Sequence, residues 1–383
     1  MKNTKIIGNI FILPDIAGGI SRVVANLCSE KDIIILCRDQ KTILTDTHDA
    51  EYFKNVSTIL FNYKTLENLD TVCKRLSSLI PNTQYPIIAN DWLPLEMASR
   101  TGIKNILVYI AHGNYEYYYN LAENYEKSID IYFGVSEFIT QKLRALLPAN
   151  KNNVHKLTIG VEVEISKPIL QVSDILKIVF VGRLTKEKGF LDLSLINHAL
   201  GEYNQKVQWL ICGDQELVKQ NIFPYNFEFM GKLANDEVIE VLKSGDIFIL
   251  PSRAEGFPVS LLEAMKCNLI PLITNLESGI PEIIIEGFNG YLLNLDDING
   301  YANRLIYFIN NKGDLIKIKG NVYESIYNKF TIDEQKLSFE IGIKSSKVAQ
   351  ALKSKYHIAG SRLDKSFIPN FIVKSVRKLK KIE

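Results

Sequence analysis

Short apolar runs rich in Ile, Val, Leu and Phe alternate along the chain with longer segments in which polar and apolar residues are mixed. Runs of about four to eight apolar, β-branched residues indicate buried strands, and the mixed segments between them indicate helices. This alternation predicts an α/β protein whose parallel sheets are covered by helices on both faces.

Seven strands are predicted in the first half of the chain and six in the second. The predicted strands are 6–13, 32–37, 56–61, 86–90, 106–111, 130–135, 154–159, 177–181, 207–212, 227–230, 246–250, 269–274 and 290–293. Residues 162–174 lack periodicity, so we expect a linker near 162–175 between two doubly wound domains. Ligands of such sheets bind at the carboxyl ends of the strands.

The length of 383 residues fits this organisation, because domains usually hold about 100–200 residues. We predict one Rossmann-like domain over 1–165 and a second over 175–330. A helix over 331–343 would cross back to the first domain, and a basic amphipathic segment would occupy 344–383.

The net charge of +2 gives no reason to expect a nucleic-acid partner. The charge is unevenly distributed, since residues 344–383 hold eleven Lys and Arg against two acidic residues and the rest has a net charge of −7. That composition, with apolar residues at helical spacing, is typical of a helix on an anionic membrane surface. The apolar face would hold Phe371, Ile372, Ser375, Val376 and Leu379, with Lys374, Arg377, Lys378 and Lys381 mostly opposite. A basic extension packed against the acidic body is the alternative.

The five cysteines are odd in number and widely spaced, which predicts neither a disulfide framework nor a zinc site and favours a reducing compartment. No apolar run approaches the roughly eighteen residues of a membrane-spanning helix. The basic and apolar residues near the start resemble a signal peptide, but Asn9, Pro14 and Asp15 interrupt that pattern.

Two loops carry features that suit an anionic ligand. Gly18 and Gly19 follow the first strand and open a helix, where the backbone can approach an anion; a tight turn is the alternative. Arg183 and Lys188 follow the first strand of the second domain, and two such cations can converge on adjacent phosphates. A solvated charge run, with Lys186 paired to Glu187, is the alternative there.

The most specific segment, 255–263, follows the strand at 246–250. Pro258 suits the first helical position, so we expect a helix to begin near it, and the N-terminal dipole of that helix favours anions. The carboxylate of Glu263 leans toward the start of that helix, where it can accept hydrogen bonds from a vicinal diol. Glu255 lies in the preceding loop. The simpler interpretation makes Glu255 a dipole partner and Glu263 a surface acid.

Together these segments resemble the retaining glycosyltransferases of family four, whose GT-B fold has two Rossmann-like domains that face each other across a cleft. The resemblance covers most of residues 1–343. The specific motifs are Arg183 with Lys188 and Glu255 with Glu263, in that order. Weaker matches are Gly18-Gly19, Asn90-Asp91-Trp92, Ala111-His112-Gly113 and Gly231-Lys232-Leu233. The chain departs from the family at Ile159-Gly160-Val161-Glu162 and at Ser278-Gly279.

The resemblance implies a role for each matched residue. Arg183 and Lys188 would hold the diphosphate of a nucleotide sugar, Glu263 the ribose, and Glu255 the transferred sugar. The backbone at Lys232 and Leu233 would meet the base. The donor site would be lined by the segment Gly256, Phe257, Pro258 and Val259, in which Pro258 has no N–H to donate. Gly18 and Gly19 would complete the donor site. His112 would reach the sugar from the first, acceptor-binding domain; a purely structural histidine is the alternative.

The implied activity is a retaining transfer of a hexose-type sugar without a metal or other cofactor, from a UDP-sugar rather than a GDP-sugar. The acceptor would be a saccharide or lipid-linked saccharide in bacterial cell-surface polysaccharide or lipopolysaccharide biosynthesis. The protein would be cytoplasmic, with peripheral attachment to the inner face of the membrane through 344–383. A nucleotide-sugar-binding protein without activity, or another GT-B enzyme such as an epimerase or phosphorylase, is the alternative.

A cluster of tyrosines follows His112 and would form either a wall of the acceptor site or part of the core. The cluster consists of Tyr115, Tyr117, Tyr118, Tyr119 and Tyr125.

Overall fold

The structure is a computed structural model of the chain. It describes residues 8–16, 18–40, 52–81, 85–163, 173–214, 218, 222–346, 355–356, 361, 363–365 and 367–379. Residues 1–7, which begin the signal-like stretch, lie outside the described residues. So do most of the predicted linker at 162–175, Ile358 and Lys381.

All thirteen predicted strands are confirmed, with ends that differ from the prediction by a few residues. The strands are β1 (Ile10–Pro14), β2 (Ile33–Asp39), β3 (Ser57–Tyr63), β4 (Ile87–Ala89), β5 (Leu107–Ala111), β6 (Ile131–Gly134), β7 (Val154–Lys156), β8 (Leu176–Val181), β9 (Val207–Cys212), β10 (Phe227–Gly231), β11 (Ile247–Leu250), β12 (Ile270–Thr274) and β13 (Tyr291–Leu293).

Helices occupy most of the connections between these strands. They are α1 (Gly19–Leu27), α2 (Leu69–Ser77), α3 (Trp92–Thr101), α4 (Glu116–Asn124), α5 (Glu137–Leu146), α6 (Asp192–Ala199), α7 (Asn235–Lys243), α8 (Val259–Lys266), α9 (Ile298–Asn310), α10 (Lys312–Ile326), α11 (Ile332–Ser345) and α12 (Asn370–Leu379).

The chain divides into two compact units, 1–158 with 335–383 and 159–334. The sheet of the first unit has the order β3-β2-β1-β4-β5-β6-β7, and that of the second has the order β10-β9-β8-β11-β12-β13. All strand pairs are parallel. Strand order reverses direction beside β1 and beside β8, so each unit has the doubly wound topology predicted from the sequence.

Local sequence explains why these elements form. Every residue of β5 and β12 is buried, as expected for central strands covered on both faces. Asn68 caps α2 by accepting hydrogen bonds from the N–H groups of Asp70 and Thr71, and Ser136 caps α5 through the N–H of Ile139. Such caps satisfy N–H groups that lack partners within the helix.

Helix α11 begins in the second unit and belongs to the first unit from Gln335 onward. The buried amide of Gln335 donates to the carbonyl of Val23 at 2.8 Å. Farther along the helix, the Phe339 ring lies 5.2 Å from that of Phe133. Polar and aromatic contacts therefore fix this helix to the first unit.

The described part of the basic segment packs against the first unit. The side-chain amide of Asn68 donates to the carbonyls of Leu363, Lys365 and Ile368. Val373 of α12 is fully buried, and Arg377 forms an ion pair of 2.5 Å with the buried carboxylate of Asp364. The prediction that Arg377 lies on an outward basic face is therefore wrong, because the buried carboxylate draws the guanidinium inward.

Two further expectations concern membranes and thiols. Within the described ranges, no helix is both long enough and apolar enough to cross a bilayer. All five cysteines are free thiols, and Cys37, Cys73, Cys212 and Cys267 are buried.

Candidate active site

The predicted donor residues of the second unit lie in loops at the carboxyl edge of its sheet. Arg183 and Lys188 follow β8, Lys232 and Leu233 follow β10, and segment 255–263 follows β11. Because the sheet is parallel, these loops share one edge. The structure thus groups residues that are up to about eighty positions apart in the chain.

The main contact in this group joins Lys188 and Glu255. The Lys188 Nζ lies 2.8 Å from Glu255 Oε1, and the hydroxyl of Ser252 donates to the same oxygen at 2.7 Å. Glu255 is 7% exposed. No described residue hydrogen-bonds Glu255 Oε2, so that oxygen remains available to a hydroxyl group of a ligand.

Backbone packing positions Lys188 next to Glu255. Gly189 has φ of +70°, and a Cβ at this position would lie 2.1 Å from the carbonyl oxygen of Pro251. Only glycine adopts this conformation at such close approach without strain. The Lys-Gly pair of the motif therefore has a structural basis, since a side chain at position 189 would separate the loop from the segment that carries Glu255.

Arg253 also holds this loop and was not identified from the sequence. Its guanidinium donates to the carbonyl of Lys186 at 3.0 Å and pairs with Asp192 and Asp296. Its own N–H donates to the carbonyl of Glu187 at 2.8 Å. A lone arginine in a loop has no periodicity that would mark it, so only the structure shows this role.

Helix α8 begins one residue later than expected from the sequence, with Pro258 as the N-cap and Val259 as the first helical residue. Glu263 lies in its second turn and is 3% exposed, so the alternative of a surface acid is wrong. The segment before the helix is fixed by Gly279, whose N–H donates to the carbonyl of Gly256 at 2.7 Å. A Cβ at Gly279 would lie 2.1 Å from the Phe257 ring.

Two of the predicted cations are exposed at this edge. Arg183 and Lys232 are both exposed, and neither side chain forms a hydrogen bond or ion pair with a described residue. Lys186 and Glu187, the alternative pair, form no ion pair with each other among the described residues. The structure therefore leaves Arg183 able to bind an anion, and it places only Lys188 in contact with Glu255.

A second polar group lies at the carboxyl edge of the first sheet. His112 follows β5, and its Nε2 lies 2.8 Å from Asn90 Oδ1, at the end of β4. The Asn90 amide nitrogen donates to the carbonyls of Ile12 and Ile88, so Oδ1 is the acceptor and His112 Nε2 carries the proton. Gly18 is the N-cap of α1 and Gly19 its first residue.

Burial lowers the pKa of His112 to about 3. The unfolded chain therefore binds a proton near pH 6.5 that the folded protein does not, and stability is lost as the pH falls below that value. Because the ring is partly exposed, the expected effect is modest: the free energy of unfolding should be about 1 kcal/mol lower at about pH 5.5 than at about pH 7.5 on account of His112.

Urea denaturation at the two pH values tests this expectation. His112→Gln should reduce the pH dependence by that amount, whereas His198→Gln, at an exposed position of α6, should keep it. Equal pH dependence in the wild type and His112→Gln would contradict the assignment.

Three tyrosines of the predicted wall occupy two different environments. Tyr119 and Tyr125 are buried, and their hydroxyls donate to Asn114 at 2.8 Å and Glu96 at 2.6 Å, so these two belong to the core. Tyr117 is 46% exposed and donates to Asp91, whose pKa is raised by burial. Tyr117 is thus available at the surface beside the polar group at this edge.

No cluster of three or more His, Cys, Asp or Glu side chains suited to a metal occurs in the described part of the chain. At the edge of the second sheet, Lys188 and Ser252 both contact Glu255 Oε1.

Comparison with known proteins adds family information to this geometry. Residues 163–325 match the family Glycosyl transferases group 1. The chain is 34% identical over 119 residues to N-acetyl-alpha-D-glucosaminyl L-malate synthase of Bacillus anthracis, covering 31% of this chain and 30% of that protein. It is 23% identical over 341 residues to UDP-Gal:alpha-D-GlcNAc-diphosphoundecaprenol alpha-1,3-galactosyltransferase of Escherichia coli, covering 79% of this chain and 86% of that protein.

A solved structure shows the same fold over both units. The Anabaena protein HepE, crystallised with UDP and glucose, superposes with a TM-score of 0.72 at 17% identity, covering 88% of this chain and 100% of that one. The chain spans between 30% and 47% of the length of the first curated relatives that it matches.

The fold and the matched segment define the class: the chain is an α/β protein with two Rossmann-like domains of the GT-B fold, as the sequence predicts. More particularly, its segment 163–325, which is less than half of the chain, is similar to the glycosyl transferases group 1.

Proposed function

We propose that the protein is a retaining glycosyltransferase of family four that moves a hexose-type sugar from a UDP-sugar to a saccharide or lipid-linked saccharide, without a metal ion. The contact between Lys188 and Glu255 carries this proposal, because it joins the two specific motifs of the resemblance at 2.8 Å. The bound UDP and glucose of HepE support a UDP-sugar donor. The galactosyltransferase relative, named for a diphosphoundecaprenol substrate, supports a lipid-linked acceptor.

The chemistry assigns complementary tasks to these residues. In a retaining transfer the bond between the anomeric carbon and the departing phosphate oxygen breaks, and the acceptor oxygen bonds to the same face of that carbon. The acceptor proton passes to the departing phosphate. Negative charge grows on that phosphate in the transition state, where preorganised cations stabilise it most.

Arg183 and Lys188 supply those cations. Arg183 can grip two phosphate oxygens, and Lys188 offers a compact charge whose position is fixed by Glu255. Glu255 Oε2 then accepts a hydrogen bond from the transferred sugar, and Glu263 accepts from the ribose. We assign Lys232 and Leu233 to the base, and the backbone of Gly256, Phe257 and Val259 to the phosphates and the sugar. On the first unit, we assign Gly18 and Gly19 to the donor and His112 to the transferred sugar.

Hydrolysis and transfer assays with a panel of UDP- and GDP-sugars test the activity. We expect one UDP-hexose to release UDP in the presence of chelator at the rate measured without it, because cations of the chain stabilise the leaving group. Activity that collapses in chelator and returns with magnesium or manganese would contradict the metal-free mechanism. Tight UDP-sugar binding without any turnover would favour a binding protein instead.

Membrane attachment through the basic segment would suit a lipid-linked acceptor in bacterial cell-surface polysaccharide biosynthesis and a position on the inner face of the cytoplasmic membrane. Phe367 and Phe371 are 78% and 70% exposed, beside the exposed Lys365 and Lys378. Neither lysine forms an ion pair with a described residue. An aromatic and basic surface of this kind favours anionic lipid surfaces. We therefore assign the contact to this outward face, which shares Phe371 with the helical face predicted from the sequence and adds Phe367.

Sedimentation with phosphatidylglycerol vesicles tests this face in the full chain. The double variant Phe367→Ser/Phe371→Ser should lose about tenfold or more in binding, while Leu195→Ser, at another exposed apolar residue, should bind like wild type. Deleting the segment is a poorer test, because Asp364 also accepts from the N–H of Leu69 and its loss would disturb α2. Binding that is unchanged in the double variant would contradict membrane attachment through this face.

A further inference from the structure

A cavity of about 240 Å³ lies within the first unit, where the basic segment meets the carboxyl edge of the sheet. Its lining includes Asp39 at the end of β2, Tyr63 at the end of β3 and Trp92 at the start of α3. Asp364 and Arg377 of the basic segment also line it. The basic segment therefore forms a wall of the cavity as well as a surface of the unit.

This wall is held in place by several contacts. Arg377 pairs with Asp364 and donates to the carbonyl of Glu67. The Asp364 carboxylate accepts from the N–H of Leu69 at 2.7 Å, and its carbonyl accepts from Arg100 at 3.0 Å. Asp364 and Glu67 are both nearly fully buried. These charges are engaged within the protein, so the wall presents a preorganised polar surface without a large net charge.

Two further lining residues, Trp92 and Lys64, offer groups that remain open to a ligand. The indole N–H of Trp92 donates to no described residue, and neither does the exposed ammonium of Lys64, which also lines the cavity. Tyr63 adds a second aromatic ring with a hydroxyl group. Aromatic rings stack on the apolar faces of sugars, while indole, hydroxyl and carboxylate groups bond their hydroxyls.

We infer that this cavity is a saccharide subsite that holds one neutral sugar ring between Trp92, Tyr63 and the wall formed by the basic segment. Its volume is below the roughly 300–1,000 Å³ of pockets for drug-sized ligands, which suits a single ring. The lining holds three carboxylates, those of Asp39, Glu67 and Asp364, against two cations, Lys64 and Arg377, so its charge does not favour a phosphate or nucleotide.

The cavity adjoins the polar group that contains His112. Asn90, which contacts His112, and Asp91, which contacts Tyr117, immediately precede Trp92 in the chain. A sugar in the cavity would therefore lie beside residues at the carboxyl edge of the first sheet. As an acceptor subsite the inference rests on the proposed transferase function; as a saccharide site it stands without it.

Tryptophan fluorescence of the full chain tests the inference without donor or turnover. The chain has two tryptophans, and the other, Trp209, is fully buried in the second unit. Titration with the methyl α-glycosides of glucose, galactose and N-acetylglucosamine should give a saturable change for at least one sugar, in the millimolar range expected for so small a ligand. Trp92→Phe should abolish the change, while UDP affinity measured by calorimetry should stay at the wild-type value.

A second pair of variants locates the sugar in the cavity. Asp39→Asn should weaken binding at least severalfold, because a carboxylate accepts stronger hydrogen bonds than an amide. Asp236→Asn, on an exposed part of α7, should not. The inference is overturned if no sugar changes the emission, if Trp92→Phe keeps the change, or if inorganic phosphate competes with the sugar. Loss of donor binding with intact sugar binding would instead count against the proposed function alone.

Discussion

Replacement of Lys188 with alanine is expected to lower the turnover number on the order of 10²- to 10³-fold, the scale for loss of one preorganised donor to a developing oxyanion. The structure adds a second reason for a large effect. Lys188 and Ser252 are the two side-chain donors to Glu255 Oε1, so without the ammonium only Ser252 remains. The uncompensated charge of the buried Glu255 carboxylate would then repel the departing phosphate. Steady-state kinetics with the preferred UDP-sugar should show the loss mainly in turnover, with a smaller change in donor affinity.

Two controls separate these effects. Lys186→Ala removes an exposed lysine from the same loop and should leave turnover within about twofold of wild type. The double variant Lys188→Ala/Glu255→Gln removes the unpaired charge, so recovery of full activity would show that Lys188 only neutralises Glu255. We expect little recovery, because the lysine acts on the phosphate. Arg183→Ala should lower turnover on a similar scale, since Arg183 faces the same growing charge.

The strands of both sheets could be predicted from the sequence because buried parallel strands leave a simple signature. Each strand is a short run of β-branched and aromatic residues, and runs such as those of β5 and β12 are buried on both faces. The ends of strands and helices were less predictable, since hydrogen bonding decides where each element begins and ends. The start of helix α8 is an example, because Pro258 is its N-cap rather than its first helical residue.

The orientation of α12 could not be predicted from its periodicity. Helical spacing groups Phe371 and Ile372 on one apolar face and leaves Val373 off it, yet Val373 is buried while Phe371 and Ile372 are exposed. A buried carboxylate from outside the helix, that of Asp364, decides which side faces inward, because it pairs with Arg377. Periodicity carries no information about such a distant partner.

The candidate site was only partly predictable, because the sequence shows which residues are present but not which of them are in contact. The Arg183, Lys188, Glu255 and Glu263 pattern indicates which loops matter, but it does not show that Lys188 and Glu255 touch. That contact depends on Gly189 approaching Pro251 and on Arg253 holding the loop. Both features depend on the tertiary packing of two segments that are far apart in the chain.

Glu263→Ala is expected to weaken donor binding about 10- to 100-fold, because a charged hydrogen-bond acceptor is worth about 1.5–3 kcal/mol. Glu263 is 3% exposed in the second turn of α8, so its carboxylate does not have to be ordered when the ribose binds. Calorimetry with UDP measures the loss directly. Glu263→Gln keeps the shape of the side chain and should show a smaller loss with an unchanged melting temperature.

The ribose assignment itself is tested by changing the ligand together with the protein. The 2′,3′-dideoxy analogue of UDP lacks the hydroxyls that Glu263 would bind, so it should bind wild type and Glu263→Ala with nearly equal affinity. Glu240→Ala, which removes an exposed glutamate paired with Lys243 on α7, should bind UDP like wild type. If Glu263→Ala lost the same factor for UDP and for its dideoxy analogue, the carboxylate would act by supporting α8 rather than by binding the ribose.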